Sequence, residues 1–280
     1  MPGVPNSDGL VTRWLDRLGY TYTGSPSDVL DLCWDKGKIK KLLTDHGLPT
    51  PRWHVFETSS ADTWNCYPSI VKPTREHCSF GITSEAVVMN SRELSNRVDY
   101  ILKTFLQPAL VEEFIDGREF HVSLWGNDEV QMLPPAEMDF SFFDDLRDRL
   151  CTYDSKFKPG SIHYERILLR LPAELDDTEY DRLQRLSIET YRVFRCRDYA
   201  RLDIRQRDGL FYILDINPNP DISSEASMAC AAEHAGYSYG AMGSYLINLA
   251  SSRHPVFGGC SSRTRSSSTS RIFFDKSSIR

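Results

Sequence analysis

The sequence predicts an α+β (α/β) protein on three observations. Apolar residues recur at helical spacing in several separate segments, period-two alternation marks strands between them, and an Asp208-Gly209 turn joins two long strands late in the chain. A chain of 280 residues, 40% hydrophobic and 26% charged, has ordinary globular proportions and holds one large domain or two to three small ones. The formal charge of -6 argues against a generic nucleic-acid binder, yet it leaves room for a local cationic cleft. There is no apolar run long enough to span a bilayer, and the N-terminus lacks the charged-then-apolar pattern of a secretory signal. The seven cysteines are irregularly spaced and form no CxxC pair, so they read as reduced thiols of a cytoplasmic protein, with no zinc site expected.

Leu10, Trp14, Leu15 and Leu18 share a helical face that Gly19 ends, and residues 20–23 read as a short strand. A helix is predicted from Asp35 to His46, with Ile39, Leu42 and Leu43 on one side and Gly47 at its end. Pro49 and Pro51 enforce an extended linker. Strands follow at 53–56 and 69–72, the second entering a polar loop over 73–81, and then a helix over 91–105. Further strands are expected near 109–111, 120–125, 199–205 and 210–217, with helices over 177–194 and 239–250. From residue 251 the chain is rich in Ser and Arg without apolar period, which predicts a disordered tail over 251–280.

The segment 198–220 is the most informative. Alternation puts Arg201, Asp203 and Arg205 on one strand face, and Asp215 and Asn217 on one face of the next strand. A strict two-residue loop would pair Asp203 with Leu214 and separate the acids. A three-residue loop with Gly209 in a bulge brings Asp203, Asp215 and Asn217 together, and that arrangement is expected. Facing carboxylates repel unless a cation lies between them, and oxygen-only ligands suit Mg²⁺. Taken alone, the same acids read equally as the solvated face of an edge hairpin.

Lys72 rises from the strand Ser69-Ile70-Val71-Lys72 into a small-polar loop, where a lysine and loop N–H groups can hold phosphate oxygens; a plain strand-end lysine is the commoner case. Lys36 and Lys156 are ambiguous on their own. The run Leu110–Phe120 interleaves apolar residues with Glu112 and Glu119, as an adenine slot with a ribose-binding carboxylate requires.

Taken in order, these segments resemble the ATP-grasp fold of the D-alanine–D-alanine ligase family. The matching pieces are Tyr22-Thr23-Gly24-Ser25, Trp34-Asp35-Lys36, Gly47 to Pro51, Ile70 to Glu76, Leu110 to Glu119, Tyr153 to Lys156, Tyr199 to Asp203 and Asp215 to Pro220, together covering roughly residues 8–250. The resemblance implies two α+β subdomains clamping ATP, over 33–111 and 112–250, after a truncated N-terminal α/β domain of which 1–32 is the remnant. It implies that Lys36, Lys72 and Ser79 hold phosphates, and that Glu112 accepts from the adenine amino group beside Phe114 and Ile115. Glu119 would bind ribose, Lys156 would reach the γ-phosphate, and Asp203, Asp215 and Asn217 would hold Mg²⁺, with Mn²⁺ as a substitute. Arg201 would stabilise an oxyanion. The implied reaction is peptide-bond formation through an acyl phosphate, in a cytoplasmic enzyme with small carboxylate and amine or hydroxy-acid substrates. A homodimer is the candidate assembly, with neither nucleic acid nor membrane as partner. The alternative is an ATP-binding regulatory or degenerate ATP-grasp protein without turnover.

The sequence departs from the family pattern at four places. His77-Cys78 replaces Gly-Ser in the phosphate loop, and His77 lacks glycine's backbone freedom. Phe157 replaces a tyrosine, a change that the family associates with hydroxy-acid acceptors. Asp215 replaces glutamate, shortening the reach by roughly 1.5 Å. Asn217-Pro218-Asn219-Pro220-Asp221 replaces Asn-x-x-Pro-Gly.

Overall fold

The hairpin at Asp208-Gly209 forms one edge of the larger of two antiparallel sheets. The structure, a computed structural model, describes residues 6–61 and 63–258. It opens with α1 (Ser7–Arg17), α2 (Ser27–Trp34) and α3 (Lys36–Asp45), followed by β1 (Trp53–Phe56), β2 (Ser69–Pro73), β3 (Val87–Val88), α4 (Ser91–Phe105) and β4 (Ala109–Glu113). Then come β5 (Arg118–Gly126), β6 (Gln131–Met132), β7 (Ala136–Asp139), α5 (Tyr153–Phe157), α6 (Ile162–Arg166) and β8 (Leu168–Arg170). The last elements are α7 (Asp177–Val193), β9 (Asp198–Arg207), β10 (Leu210–Asn217), α8 (Ser227–His234) and α9 (Tyr239–Ser251).

The smaller sheet has the order β1-β4-β2-β3, and α4 lies on one face, where Leu94, Val98 and Ile101 meet Val71 and Val111. The larger sheet runs β10-β9-β5-β7-β8, with β6 also paired to β5. Its apolar face packs on α3 and α7 through Ile39, Leu43, Leu183 and Tyr191, while α8 and α9 cover one end of the opposite face at Trp125 and Tyr199. The sheets change over between Glu113 and Arg118.

Local signals account for the starts of α3 and α7. Asp35 caps α3 by accepting from Gly37 N–H at 3.0 Å, and Asp176 with Glu179 forms a reciprocal capping box on α7. Residues 20–23, expected as a strand, are irregular. Side chains hold this stretch in place of a ladder: Arg253 donates to the Tyr22 carbonyl, and Asp198 accepts from Gly24 N–H at 2.9 Å. The sequence reading passed over α2, a short helix after Pro26 whose Val29, Leu30 and Cys33 are buried. The tail expected from residue 251 lies mostly outside the described residues, while Ser251 still belongs to α9 and 252–258 form turns.

The hairpin corrects a second expectation. Its loop is the tight two-residue kind, since Leu210 pairs with Arg207 and both Asp208 and Gly209 have positive φ, 53° and 72°. The odd residue sits farther along. Ile213 pairs with Ile204, Leu214 bulges out, and Asp215 pairs with Asp203. The acids therefore face each other as expected, through a bulge at Leu214 rather than at Gly209. The bulge is held from outside the sheet: Lys40 Nζ donates to the carbonyls of Ile213 and Leu214, at 3.1 and 2.8 Å, and Thr50 Oγ1 also donates to Ile213, so the bulged backbone keeps buried partners.

Candidate active site

Alternation along β5 and β9 gives the larger sheet one apolar and one polar face. Phe120, Val122, Leu202 and Ile204 point into the core; Glu119, His121, Arg201, Asp203 and Arg205 point into a cavity of about 610 Å³. That volume suits a small-molecule site. Every site residue expected from the sequence lines this cavity, from Lys36, Lys72 and Ser79 through Glu112, Phe114, Ile115, Glu119 and Lys156 to Arg201, Asp203, Asp215 and Asn217.

Asp203 and Asp215 occupy paired positions, and Asn217 follows opposite Arg201. The Arg201 guanidinium donates to both oxygens of Asp203, at 2.7 and 3.1 Å, and Lys36 Nζ lies 2.6 Å from Asp215 Oδ2. Burial would raise the Asp203 carboxyl, but Arg201 and His121 hold it well below the usual carboxylate range. For Lys36 burial works against the charge, and Asp215 reverses that and raises it. Two carboxylates and an amide oxygen facing one space form a hard, oxygen-only donor set that fits Mg²⁺.

Glu112 is 1% exposed and lies between two ammonium groups, Lys40 at 2.6 Å and Lys72 at 2.7 Å. Burial alone would raise its carboxyl, yet the two lysines pull it down to about 2. Glu112 is thus first a counter-ion that fixes Lys72, and an adenine amino group would have to use its remaining lone pairs. Glu119 receives Arg205 Nε at 2.7 Å on Oε2. The same guanidinium lies 4.6 Å over the Phe114 ring and donates to the Ile115 carbonyl at 2.7 Å, so one arginine organises the apolar slot.

Lys156, on α5, has no ion-pair or hydrogen-bond partner among the described residues. Phe157, next to it, is 52% exposed with its ring 4.9 Å from Tyr153. In the phosphate loop the left-handed residues are Cys78, Ser79 and Gly81, with φ 55°, 59° and 77°; His77 is not among them, so glycine's freedom is not what its position demands. The Ser79 hydroxyl donates to the Cys151 carbonyl at 2.9 Å and ties the loop to the start of α5. At the cavity's far end, Asp8 of α1 accepts from Asn219 at 2.9 Å.

Four residues of the cavity and its support escaped the sequence reading. Lys40 follows Lys36 by one helical turn, and His121 follows Glu119 by one strand period, so both were within reach of periodicity. Arg205 shares the face of Arg201 and Asp203 but was given no role. Cys151 carried no signal, because only tertiary folding brings its segment to β5. Burial, and after it Arg201, lower the His121 ring to about 4 and leave it neutral near pH 7.

Residues 42–248 match the family model described as "D-ala D-ala ligase C-terminus". An uncharacterized protein of Sinorhizobium fredii, y4sG, is 34% identical over 246 residues, 87% of this chain and 70% of its own length. The D-alanine–D-alanine ligase of a Marinomonas species is 32% identical over 249 residues, 86% of this chain and 72% of its own. Among solved structures, the D-alanine–D-alanine ligase of Bacillus anthracis complexed with ATP superposes with a TM-score of 0.69 at 22% identity. That alignment covers 87% of this chain and 74% of the other, and it shows a shared ATP-grasp fold.

Proposed function

From the premise that the chain belongs to the D-alanine–D-alanine ligase family of ATP-dependent carboxylate–amine ligases, we propose that this cavity joins a small carboxylate to an amine or hydroxy acid through an acyl phosphate. The observation that carries the reading is the convergence of Lys36, Lys72, Lys156 and Arg201 with the facing pair Asp203 and Asp215 in one cavity. The cations come from four separate elements, and an apolar slot at Phe114 and Ile115 adjoins them.

In this proposal ATP lies between the smaller and the larger sheet, with its base against Phe114 and Ile115 and its ribose hydroxyls on Glu119. Lys36 and Lys72 hold phosphate oxygens, and Lys156, in no direct ion pair among the described residues, is available to the γ-phosphate. Asp203, Asp215 and Asn217 are the residues that would hold Mg²⁺, which when bound neutralises phosphate charge. The substrate carboxylate attacks the γ-phosphorus and ADP leaves; the second substrate then attacks the acyl carbon and phosphate leaves. Arg201 offers guanidinium N–H groups to the oxyanion formed in that second step. Chemistry of this kind rests on positioning and charge neutralisation, which these side chains supply.

The test is a screen of amino acids and hydroxy acids, taken in pairs, for substrate-dependent ADP and phosphate release, with mass detection of the product. Release with a condensed product is expected. ATP binding without turnover against every pair would reject the ligation proposed for this chain.

A further inference from the structure

Glu119 and His121 project from the same face of β5 into the cavity, and Cys151 reaches the same place from the segment before α5. One carboxylate oxygen, one ring nitrogen and the sulfur lie within 4.8 Å of one another. Arg205 takes Glu119 Oε2, while Oε1 stands 4.0 Å from His121 Nε2, which lies at the same 4.0 Å from Asp203 Oδ1. Neither the imidazole nor the thiol has a hydrogen-bond partner among the described residues.

Carboxylate, imidazole and thiolate form a donor set suited to a borderline-soft dication, with bonds of about 2.0–2.3 Å. Tetrahedral angles then require donors about 3.3–3.7 Å apart, so closure asks each side chain to move inward by at most about 0.9 Å. Mg²⁺ does not select a thiolate, which separates this cluster chemically from Asp203, Asp215 and Asn217.

We propose that Glu119, His121 and Cys151 form a zinc-binding site inside the nucleotide cavity, and that zinc and nucleotide exclude each other there. The Cys151 thiol proton leaves to solvent as the thiolate binds, and a water completes the tetrahedron. Burial pushes the Cys151 thiol up, so zinc has to displace its proton, while neighbouring Lys156 and Arg205 favour the thiolate once it forms. The exclusion rests on Glu119 holding the ribose; the metal site does not.

The test titrates Zn²⁺ alone into the full chain against a chromophoric chelator, with Co²⁺ as the spectroscopic stand-in. A single equivalent is expected to bind. His121→Ala and Cys151→Ser should each weaken it beyond the roughly 10–100-fold that losing an outer-shell partner costs. The thiolate-to-cobalt charge-transfer band should vanish in Cys151→Ser and persist in Cys78→Ser. Wild-type binding no tighter than that of Cys151→Ser, or a band that follows Cys78, overturns the site. Adenosine has a ribose but no phosphate to chelate metal, and it should bleach the band. If zinc binds and the band ignores adenosine, the ribose role of Glu119 falls while the metal site stands.

Discussion

Asp203 and Asp215 are direct cross-strand partners, each with a protein cation against its carboxylate: Arg201 at 2.7 Å and Lys36 at 2.6 Å. If the pair holds the metal that serves ATP, Asp203→Asn and Asp215→Asn should each lower ADP release by about 10²–10³ with near-ultraviolet dichroism unchanged. A chelator should stop the wild-type enzyme, and added Mg²⁺ should restore it. Unchanged turnover in both variants would remove these acids from the site.

The hairpin shows how far the sequence could be read. Alternation and the Asp-Gly turn were enough to locate both strands and to bring the acids to one face, but not to place the odd residue. The bulge at Leu214 is satisfied by Lys40, far away in the chain, which donates to its carbonyl. Local preference carries no record of such a partner. The same reason hid Cys151, and it hid the second role of Glu112, whose two lysines come from α3 and β2. His121 is a different case, since it stands one strand period from Glu119 and periodicity alone would have reached it.

Lys40→Met leaves Glu112 with only Lys72 and removes the donor to two bulge carbonyls. Breaking a buried ion pair from one side typically costs about 3–5 kcal/mol. A loss of that size is expected in denaturant unfolding, and a similar one for Glu112→Gln. The double variant should lose less than the sum, because both changes remove the same interaction. Additive losses would contradict the coupling.

Lys156→Ala separates function from stability. The ammonium makes no direct ion pair or hydrogen bond among the described residues, so unfolding free energy should change by no more than about 0.5 kcal/mol. ADP release should nevertheless fall by about 10²–10³ if this lysine meets the γ-phosphate. Equal turnover of the two proteins would refute its role.

His77 and His121 are both lowered to about 4 by burial, assisted by Lys36 for the first and Arg201 for the second. In the unfolded chain both protonate near pH 6.5. Their effect on stability is therefore small above that pH, destabilising as pH falls from 6.5 to 4, and constant below. Between pH 7 and 5 each should cost about 2 kcal/mol, read from urea midpoints. His121→Gln should flatten the slope; a slope unchanged by that variant would show that His121 does not titrate as described.

Lys36 and Lys40 leave α3 one turn apart, the first reaching the Asp215 carboxylate and the second the carbonyls of the two residues before it. The helix is thereby splinted along the end of β10. It cannot roll or slide without carrying Asp215 along, so the lysine assigned to phosphate and the acid assigned to its counter-ion share one frame of reference. Opening and closing of the lobes would move that frame as a unit, and the spacing between them would survive the motion.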